Sequence, residues 1–331
     1  MNNKLQKYKH MKICILNVDN QNSNSAISKF EPLADPAPWL TSHNFERHFL
    51  STANFRNQIN GLLTKDFDVF LNLCDGSKGE DRPGIEVVKM LEKAGVHFTG
   101  AGSEFYEPSR QEMKDACSRA NIKFPKGKVL NSTQNLINEI LEIKFPMIVK
   151  HPNSYNSIGM TKKSVVCNFH ELKTQTDKII FDFESTLIEE YIEGKEFTAL
   201  VIENPENNKK PIVFQPMEII FPAGETFKHF DLKWKNHTNM KYVIINDKTV
   251  KKKIQKDSST MFSVMNGKGY ARCDMRMNAQ GELFMLEINP NCSIYFPKND
   301  TSSADEILFS EPDGHKQFTD LILKTALKKT Y

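Results

Sequence analysis

The sequence predicts an α/β protein with α+β character: an open parallel sheet near the N-terminus, followed by segments rich in β structure. Two observations predict this fold class. The first hundred residues alternate strand and helix patterns, the order typical of a small open α/β domain. Residues 270–289 instead contain two β runs around a turn at 278–281, which is typical of a hairpin. A chain of 331 residues with 39% hydrophobic side chains is long enough for two or three domains.

The predicted elements of the N-terminal region follow one another closely. They are an apolar strand at Met11–Asp19, a helical pattern at Phe45–Leu63, a buried parallel strand at Asp66–Cys74, an amphipathic helix that stops at Gly95, and a short strand with the sequence VHFTG. Ligands of open parallel sheets bind at the carboxyl ends of the strands. The loop Asp75–Pro83 is therefore expected to line a binding site.

The remaining elements are predicted from similar patterns. They are a helix at Ser109–Asn121, a strand at Lys144–Lys150, a second strand at KKSVV, two strand-like pieces around Gly194, the hairpin, and an amphipathic helix at His315–Lys328. A lysine-rich stretch at Lys248–Lys256 fits either a solvated helix face or a nucleic-acid patch, and the helix face is the simpler interpretation.

Composition excludes several classes of function. The 44 basic and 41 acidic side chains give a net charge of +3, which argues against nucleic acid as the main partner. No apolar run approaches the roughly 18–20 residues of a membrane span, and the polar start lacks a signal-peptide pattern, so we expect a cytoplasmic protein without a membrane partner. Six scattered cysteines without a CxxC pair favour reduced thiols over disulfides or zinc.

The predicted hairpin carries the most informative side chains. Because strand residues alternate faces, Arg272 and Asp274 project together, and so do Glu287 and Asn289. The turn at 278–281 sets Asp274 roughly opposite Glu287. Two carboxylates and an amide are hard ligands that suit Mg²⁺. An exposed hairpin with ordinary polar residues on its wet side fits the same pattern, so the hairpin alone leaves both interpretations open.

Two further segments have a nucleotide interpretation beside an ordinary one. Lys150 follows an apolar strand, so its ammonium could reach a phosphate, and backbone amides at 156–159 could cap phosphate oxygens. A lysine at the surface end of a strand is the alternative. The acidic residues Glu189, Glu190 and Glu196 could border a strand that reads adenine and ribose, or could be surface charges.

Together, and in this order, these segments resemble the ATP-grasp superfamily and, within it, the D-alanine–D-alanine ligase branch. The resemblance covers essentially the whole chain. It depends most on four motifs: FPMIVKHPNSYNSIGM, LIEEYIEGKEF, FKHFDLKW and YARCDMRMNAQGELFMLEINPN. The last is the most specific, since an Asp is followed after twelve residues by E-x-N, with an Arg two residues before the Asp.

The resemblance implies an ATP-grasp fold in three parts. Residues 1–103 would be an N-terminal open parallel α/β domain, 104–189 a central subdomain, and 190–331 a C-terminal catalytic subdomain. The two ATP-grasp subdomains would enclose the nucleotide between them. The loops 151–159 and 224–240 would act as lids that keep water from the reaction.

The resemblance also implies which residues bind ATP. Lys114 resembles the lysine on the α-phosphate, and Lys150 the lysine on the α- and β-phosphates. The loop over the phosphates would contain Ser157 and Gly159. The base and sugar would be held by Glu189, Glu190, the backbone of Tyr191 and Ile192, and, at the ribose, Glu196.

For catalysis, the resemblance makes Lys233 the lysine on the γ-phosphate and Arg272 the arginine that stabilises an oxyanion, with a backbone amide near Ser293. The magnesium ligands would be Asp274, Glu287 and Asn289, holding two ions, with Mn²⁺ as the alternative metal.

The implied activity is ATP-dependent ligation of a carboxylate to an amine. An acylphosphate forms, ADP and phosphate are released, and the substrates are small and amino-acid-like. Dimers are common in this branch, so a homodimer stays open. Two alternatives remain: a ligase that adds an amino acid to a protein or peptide, and a nucleotide-binding scaffold without catalysis.

Departures from the family pattern cluster where substrate would bind. The glutamate motif that holds the first D-alanine has no counterpart after the first strand, and Asp75–Gly76 replaces the family's His-Gly. Asn156 replaces a serine and Trp234 replaces a tyrosine. The loop beyond Asn289 is longer and more acidic. A product other than D-alanyl-D-alanine is therefore predicted.

Six residues are candidate substrate contacts. Three lie on the first domain's strand-end loop and three on the loop facing it: Asp75, Glu80 and Arg82, and Ser302, Ser303 and Asp305. The acidic residues would suit an amine, and Arg82 could bind a carboxylate through two hydrogen bonds. Exposed loop charges without a ligand are the alternative.

Overall fold

The computed structural model describes residues 10–152, 155–207, 209–235 and 240–328. Within these ranges the strands form three sheets, one for each region along the chain. The mixed α/β architecture confirms the predicted fold class. The predicted division at residues 103 and 189 stays a prediction.

The first sheet is parallel and has the strand order β2-β1-β3. The elements of this region are β1 (Lys12–Val18), β2 (Asn44–Leu50), helix α1 (Phe55–Leu63), β3 (Val69–Asn72) and helix α2 (Ile85–Lys93). The predicted short strand VHFTG contributes a single bridge, Phe98 to Phe70. Because β1 lies between two neighbours, six of its seven residues are buried.

The helix expected at Phe45–Leu63 is wrong in its first half. Residues 44–50 form β2, which pairs with β1 along its whole length, and only Phe55–Leu63 is helical. As an edge strand, β2 leaves Phe45 and Phe49 exposed. Its mixed polar and apolar pattern therefore resembles an amphipathic helix, and pairing with β1, more than thirty residues away, decides the conformation.

The second sheet is antiparallel, with the strand order β4-β7-β5-β6. This region contains α3 (Arg110–Ala120), β4 (Gly127–Leu130), α4 (Leu136–Glu139), β5 (Met147–Lys150), β6 (Val165–Val166), α5 (Phe169–Phe183) and β7 (Thr186–Glu190). A capping box starts α3, because the Ser109 side chain accepts from the Glu112 amide and Glu112 accepts from the Ser109 amide.

The third sheet has the order β11-β10-β8-β12-β13, with β9 paired to β8. Its region contains β8 (Lys195–Ile202), β9 (Ile212–Val213), β10 (Met217–Ile220), α6 (Phe230–Trp234), β11 (Lys241–Ile244), α7 (Lys248–Val264), β12 (Tyr270–Met277), β13 (Leu283–Pro290), α8 (Ser303–Phe309) and α9 (Gly314–Lys328). The lysine-rich stretch is the first half of α7.

The first and third sheets share one hydrophobic core. Ile13 and Leu71 of the N-terminal sheet belong to the same buried cluster as Leu200 of β8 and Phe318 of α9. This packing brings the loop after β3 to the loop that follows β13, and one cavity is lined by residues of all three regions. Among the described helices none is both long and apolar enough to cross a bilayer.

Candidate active site

The hairpin of β12 and β13 forms one wall of this cavity. Asp274 lies opposite Glu287, and Arg272 lies opposite Asn289, as the predicted turn requires. The pairing shifts register just after Asp274, which is a local irregularity of the ladder. All four side chains line the cavity.

Arg272 and Asp274 bind each other within the cavity. The Arg272 Nε donates to Asp274 Oδ1 at 3.0 Å, and its Nη2 donates to Oδ2 at 2.8 Å. The Thr198 hydroxyl also donates to Asp274 Oδ1, at 2.8 Å. Burial opposes ionisation of this carboxyl, but the Arg272 guanidinium outweighs burial and holds the pKa of Asp274 well below its usual range. Asp274 is therefore an anion at any physiological pH.

The predicted metal ligands supply oxygens of the hard type. The Asn289 amide nitrogen donates to Glu287 Oε1 at 2.8 Å, so the amide is oriented by the neighbouring carboxylate. Within the described residues no three His, Cys, Asp or Glu side chains group as a metal site. A site here depends on two carboxylates together with the amide oxygen of Asn289, a donor set that fits Mg²⁺.

A second wall holds a buried cluster of one acid and two cations. The Lys150 ammonium lies 2.9 Å from Glu189 Oε2, and Arg110 of α3 pairs with the other oxygen. Burial raises the pKa of Glu189, but Arg110 and then Lys150 lower it below the usual value. Glu189 therefore orients two cations, in addition to the adenine role predicted for it.

Arg110 was missed by the sequence reasoning, which placed Lys114 at the phosphates. Both lie on α3, one turn apart, but Lys114 is exposed and does not line the cavity, whereas Arg110 contacts Glu189. A basic residue at the N-terminal end of α3 was the available signal. Residues four apart lie on the same face of a helix, so Arg110 and Lys114 differ mainly in their position along the helix axis, and only the residue nearer the N-terminal end reaches Glu189.

Lys233 enters the cavity from α6. Its ammonium donates to Asn156 Oδ1 at 3.0 Å, and the Trp234 indole donates to the Asn156 carbonyl at 3.0 Å. Burial, with the nearby Arg272 and Lys228 charges, lowers the pKa of Lys233 to about 8. The two residues that depart from the family pattern, Asn156 and Trp234, thus contact each other and hold this lysine.

Two further cations of the cavity were also missed, one half-buried and one buried. Lys228 lies 3.8 Å from one oxygen of Glu196, and Arg276 lies 3.9 Å from the other. Arg276 also donates to the Gly194 and Thr226 carbonyls and stacks on the Tyr191 ring, 4.6 Å from its centroid. Despite these charges, burial raises the pKa of Glu196. No sequence motif distinguishes either cation from the other lysines and arginines of the chain.

The cavity brings most of the predicted site together. It is lined by these predicted residues: Asp75, Lys150, Ser157, Glu189, Glu190, Tyr191, Ile192, Glu196, Lys233, Arg272, Asp274, Glu287, Asn289, Ser293, Ser302 and Ser303. Their individual roles stay predictions. Five predicted residues do not line it: Glu80, Arg82, Lys114, Gly159 and Asp305.

The predicted lids are described only in part, because residues 153, 154 and 236–239 lie outside the described ranges. Gly159 has a positive φ of 78°, and a Cβ there would lie 2.7 Å from the Phe183 ring. Close packing against α5 therefore explains why a glycine is needed at position 159. Ser157, in contrast, lines the cavity, and its hydroxyl donates to the Lys228 carbonyl at 3.0 Å.

Arg82 and Glu80 form an internal ion-pair network. The Arg82 side chain is only 1% exposed; it donates to Asp75 Oδ1 at 2.6 Å and pairs with Glu31. Glu80 accepts from the Ser77 hydroxyl at 2.9 Å. In this structure the Arg82 guanidinium is bound by buried acids of the protein, and the role expected for it at a substrate carboxylate stays a prediction.

Glu31 was not predicted at all, since it lies in a polar loop without a motif. Burial, together with the nearby Asp75 charge, raises the pKa of Glu31 to about 7 even beside Arg82. With Asn17, Asn20, Asp75 and Arg82 it lines a smaller cavity that adjoins the first at Ser293 and Cys292. The N-terminal domain therefore contributes acidic groups next to the predicted oxyanion site.

Asp305 is also a structural residue, not an exposed contact. It is fully buried, accepts from the Tyr295 amide at 2.8 Å and lies 2.9 Å from His315 Nε2. It further accepts from the Ser302 hydroxyl in the capping box of α8. Asp305 thus fixes the loop that presents Ser302 and Ser303 to the cavity.

The fold and the cavity define the class of protein. The cavity lies among three sheets, with lysines and a carboxylate–amide cluster on its walls, and the overall fold is that of a solved D-alanine–D-alanine ligase from Bacillus anthracis. The chain belongs to the family described as the D-ala D-ala ligase C-terminus, whose model matches residues 120–294.

Two relatives in sequence are D-alanine–D-alanine ligases. The chain is 26% identical over 232 residues to a D-alanine–D-alanine ligase of Pseudomonas fluorescens, covering 69% of this chain and 67% of that protein. It is 29% identical over 231 residues to a D-alanine–D-alanine ligase of Aquifex aeolicus, covering 69% and 73%.

Solved structures agree on the fold. A D-alanine–D-alanine ligase from Bacillus anthracis complexed with ATP has a TM-score of 0.70 at 19% identity, covering 96% of this chain and 98% of that one. The VanG D-Ala:D-Ser ligase from Enterococcus faecalis has a TM-score of 0.70 at 17% identity, covering 95% and 99%. The chain therefore shares the ATP-grasp fold of these structures. Its family model and its relatives in sequence make it a D-Ala–D-Ala ligase-like enzyme that forms C–N bonds using ATP.

Proposed function

We propose that this enzyme activates a small amino-acid-like carboxylate as an acylphosphate and joins it to an amine, releasing ADP and phosphate. One observation carries the proposal: Lys150, Lys233, Arg272 and the Asp274–Glu287 pair line a single cavity. Phosphoryl transfer needs little covalent chemistry from the protein but needs positioning and charge neutralisation. These side chains supply both.

Different residues of the chain would bind the phosphates, the oxyanion and the nucleotide. Lys150, held by Glu189, and Lys233, held by Asn156, would neutralise phosphate oxygens of ATP. Arg272 and a backbone amide near Ser293 would hold the oxyanion that forms when the amine attacks the acylphosphate. Arg276 and Tyr191 would pack beside the nucleotide at the wall where they already stack.

Asp274, Glu287 and Asn289 would hold Mg²⁺, because their oxygens fit that ion. Bound there, Mg²⁺ neutralises charge on the phosphates and on the group in transfer.

The product is proposed to differ from D-alanyl-D-alanine. Support comes from the N-terminal side of the cavity, where the loop of Glu31 and the ion pair of Asp75 with Arg82 occupy the wall that departs from the family pattern. Asp75 lines the cavity on this side, while Glu31 and Arg82 line the smaller cavity that adjoins it.

The proposal is tested by incubating the protein with ATP, Mg²⁺ and pooled L- and D-amino acids. Mass spectrometry is expected to show ADP and a condensed product that is absent when either ATP or the amino-acid pool is omitted. Formation of AMP and pyrophosphate would refute the acylphosphate route. D-alanyl-D-alanine as the preferred product would refute the substrate part alone.

The metal assignment predicts a specific change in magnesium dependence. Glu287→Gln removes one carboxylate charge, so the Mg²⁺ concentration for half-maximal ADP formation is expected to rise roughly tenfold or more, since carboxylates are preferred Mg²⁺ ligands. Glu282→Gln, an exposed change on the turn of the same hairpin, is the matched control. Equal magnesium dependence of the two variants would contradict the assignment.

Three expectations remain predictions beside this proposal: two metal ions with Mn²⁺ as an alternative, a homodimer, and a cytoplasmic location. The six free cysteines, five of them buried, are compatible with reduced thiols.

A further inference from the structure

Strand β2 forms an open edge of the N-terminal sheet. In the part of the chain that the structure describes, β2 pairs only with β1, which lies on one side of it. At the other end of the same sheet, β3 also forms a bridge to Phe98. An exposed edge strand presents free backbone donors and acceptors, so a strand of another chain can pair with it.

The backbone of β2 shows which groups face outward. The amide of Asn44 donates to a carbonyl just before β1 at 2.9 Å, so the even-numbered residues direct their backbone groups toward β1. Since this direction alternates along a strand, the amides and carbonyls of Phe45, Arg47 and Phe49 face away from β1. The Phe49 carbonyl accepts from Gln58 Nε2 at 2.8 Å, and a carbonyl has a second lone pair for another donor.

The side chains of β2 combine apolar and charged groups. Phe45 and Phe49 lie on one face of the strand and are 41% and 45% exposed. Glu46 and His48 lie on the other face. Charges alone protect an edge from pairing, but exposed aromatic rings favour contact with another apolar surface. The edge therefore has the groups that a complementary strand would match.

A second copy of β2 matches this edge when it runs antiparallel about Arg47. Phe45 of each copy then lies opposite Phe49 of the other, and Glu46 lies opposite His48. Aromatic pairs, and an acid opposite a base, stabilise neighbouring strands. The outward-facing backbone groups also meet one another in this register. The strand is therefore complementary to itself.

Arg47 would lie opposite its own copy on the two-fold axis, where like charges oppose pairing. Its guanidinium is bound by Asp35 of the same chain, and this ion pair offsets the charge. Moving the axis to either neighbouring residue places an aromatic ring opposite Arg47 and separates the acid from the base. Of these three registers, the one centred on Arg47 therefore pairs the side chains best.

We propose that β2 of one chain pairs antiparallel with β2 of a second copy about Arg47, forming a homodimer in which the two three-stranded sheets join into one. The proposal does not rest on the ligase function, because no residue of 44–50 lines either cavity. It assigns a surface to the homodimer that the family resemblance left open.

The oligomeric state of the full chain tests this surface. Sedimentation velocity over a range of protein concentrations is expected to show a dimer. Phe45→Asp should raise the Kd of the dimer by about tenfold or more, because one substitution removes both aromatic pairs of a two-fold interface. Phe181→Asp changes a ring on α5 that is 90% exposed, and as the matched control it should leave the Kd unchanged. Thermal unfolding shows whether each variant is folded.

A charge exchange tests the pairing of Glu46 with His48. His48→Glu places two acids opposite each other and should raise the Kd by roughly tenfold. Adding Glu46→Lys restores pairs of opposite charge and should recover most of the lost affinity. The two side chains are also neighbours within one chain, with 3.4 Å between His48 Nε2 and Glu46 Oε2, so thermal unfolding is measured for both variants.

Cysteine cross-linking tests the register. The background is Cys167→Ser, which removes the exposed cysteine. Arg47→Cys is expected to give a disulfide-linked dimer on mild oxidation, because residues paired on the axis have Cα atoms about 5.5 Å apart. Phe45→Cys should not cross-link, because its two copies lie four residues apart along the strands, roughly 13 Å.

Several results would overturn the proposal. They are a monomer at every concentration, a dimer that is unaffected by Phe45→Asp and His48→Glu, and cross-linking through Phe45→Cys in place of Arg47→Cys. A dimer that is lost with Val243→Asp instead would assign the contact to β11, an edge strand of the third sheet on which Val243 is exposed. None of these results bears on the ligase proposal.

Discussion

Replacing Arg272 with alanine is expected to lower kcat for ADP-forming ligation by about 10²–10³-fold, the usual cost of losing one oxyanion donor. The affinity for ATP should change much less, because Arg272 is proposed to act on the tetrahedral intermediate. Steady-state kinetics and equilibrium binding of an ATP analogue measure the two effects. The variant also leaves Asp274 without its bidentate partner, so thermal unfolding is measured in parallel.

Two further variants separate chemistry from folding. Arg272→Lys keeps a cation beside Asp274 and should preserve stability while remaining slow, since an ammonium does not reproduce the planar guanidinium. Arg119→Ala, an exposed change on α3, should behave like the natural protein. An Arg272→Ala variant with full kcat would contradict the role assigned to this residue.

Replacing Arg82 with methionine is expected to lower the free energy of unfolding by about 3–5 kcal/mol, because it leaves buried acids without their cation. The Arg82 and Glu31 side chains are 1% and 6% exposed, and Asp75 is 19% exposed, so solvent screens these charges little. Urea denaturation at neutral pH measures the loss. Arg119→Met, in an exposed position, should change the free energy of unfolding by less than about 0.5 kcal/mol.

A second variant tests the cause of this loss. Adding Glu31→Gln to Arg82→Met removes one of the stranded charges and should recover part of the stability. A double variant that is less stable than Arg82→Met would show that lost packing, not unpaired charge, dominates.

The arrangement of the hairpin could be predicted from short-range sequence patterns alone. Strand alternation and one turn predicted that Asp274 and Glu287 would lie opposite each other, and the structure places them so. This prediction needs only residues within about twenty positions of one another. The motif was also specific enough to indicate the family, which the match over residues 120–294 confirms.

Predictions that depended on contacts between residues distant in the sequence were less accurate. Lys114 and Arg110 differ by one helical turn, and only the packing of α3 against α7 and β13 selects Arg110 as the partner of Glu189. Residues 44–50 became an edge strand because β1 was available for pairing. No local pattern contains either contact.

The candidate substrate residues show the same limit. Asp75 lies in the cavity, whereas Arg82 and Asp305, which are equally polar and equally loop-borne in the sequence, are buried structural groups. The sequence around a charged loop residue does not indicate which residue it will pair with. Here Arg82 pairs with Glu31 and Asp305 with His315, and both partners lie in other segments.

The sequence by itself thus determined the fold class, the family and the groups of the hairpin, because these depend on side-chain periodicity and short-range spacing. The tertiary structure alone decided where the cations lie: Lys228 and Arg276 line the cavity, Arg110 pairs with Glu189 of its wall, and Arg82 lies in a buried ion-pair network. The physical reason is that a charge acts through its nearest partners in space. Those partners are fixed only when the three sheets pack together.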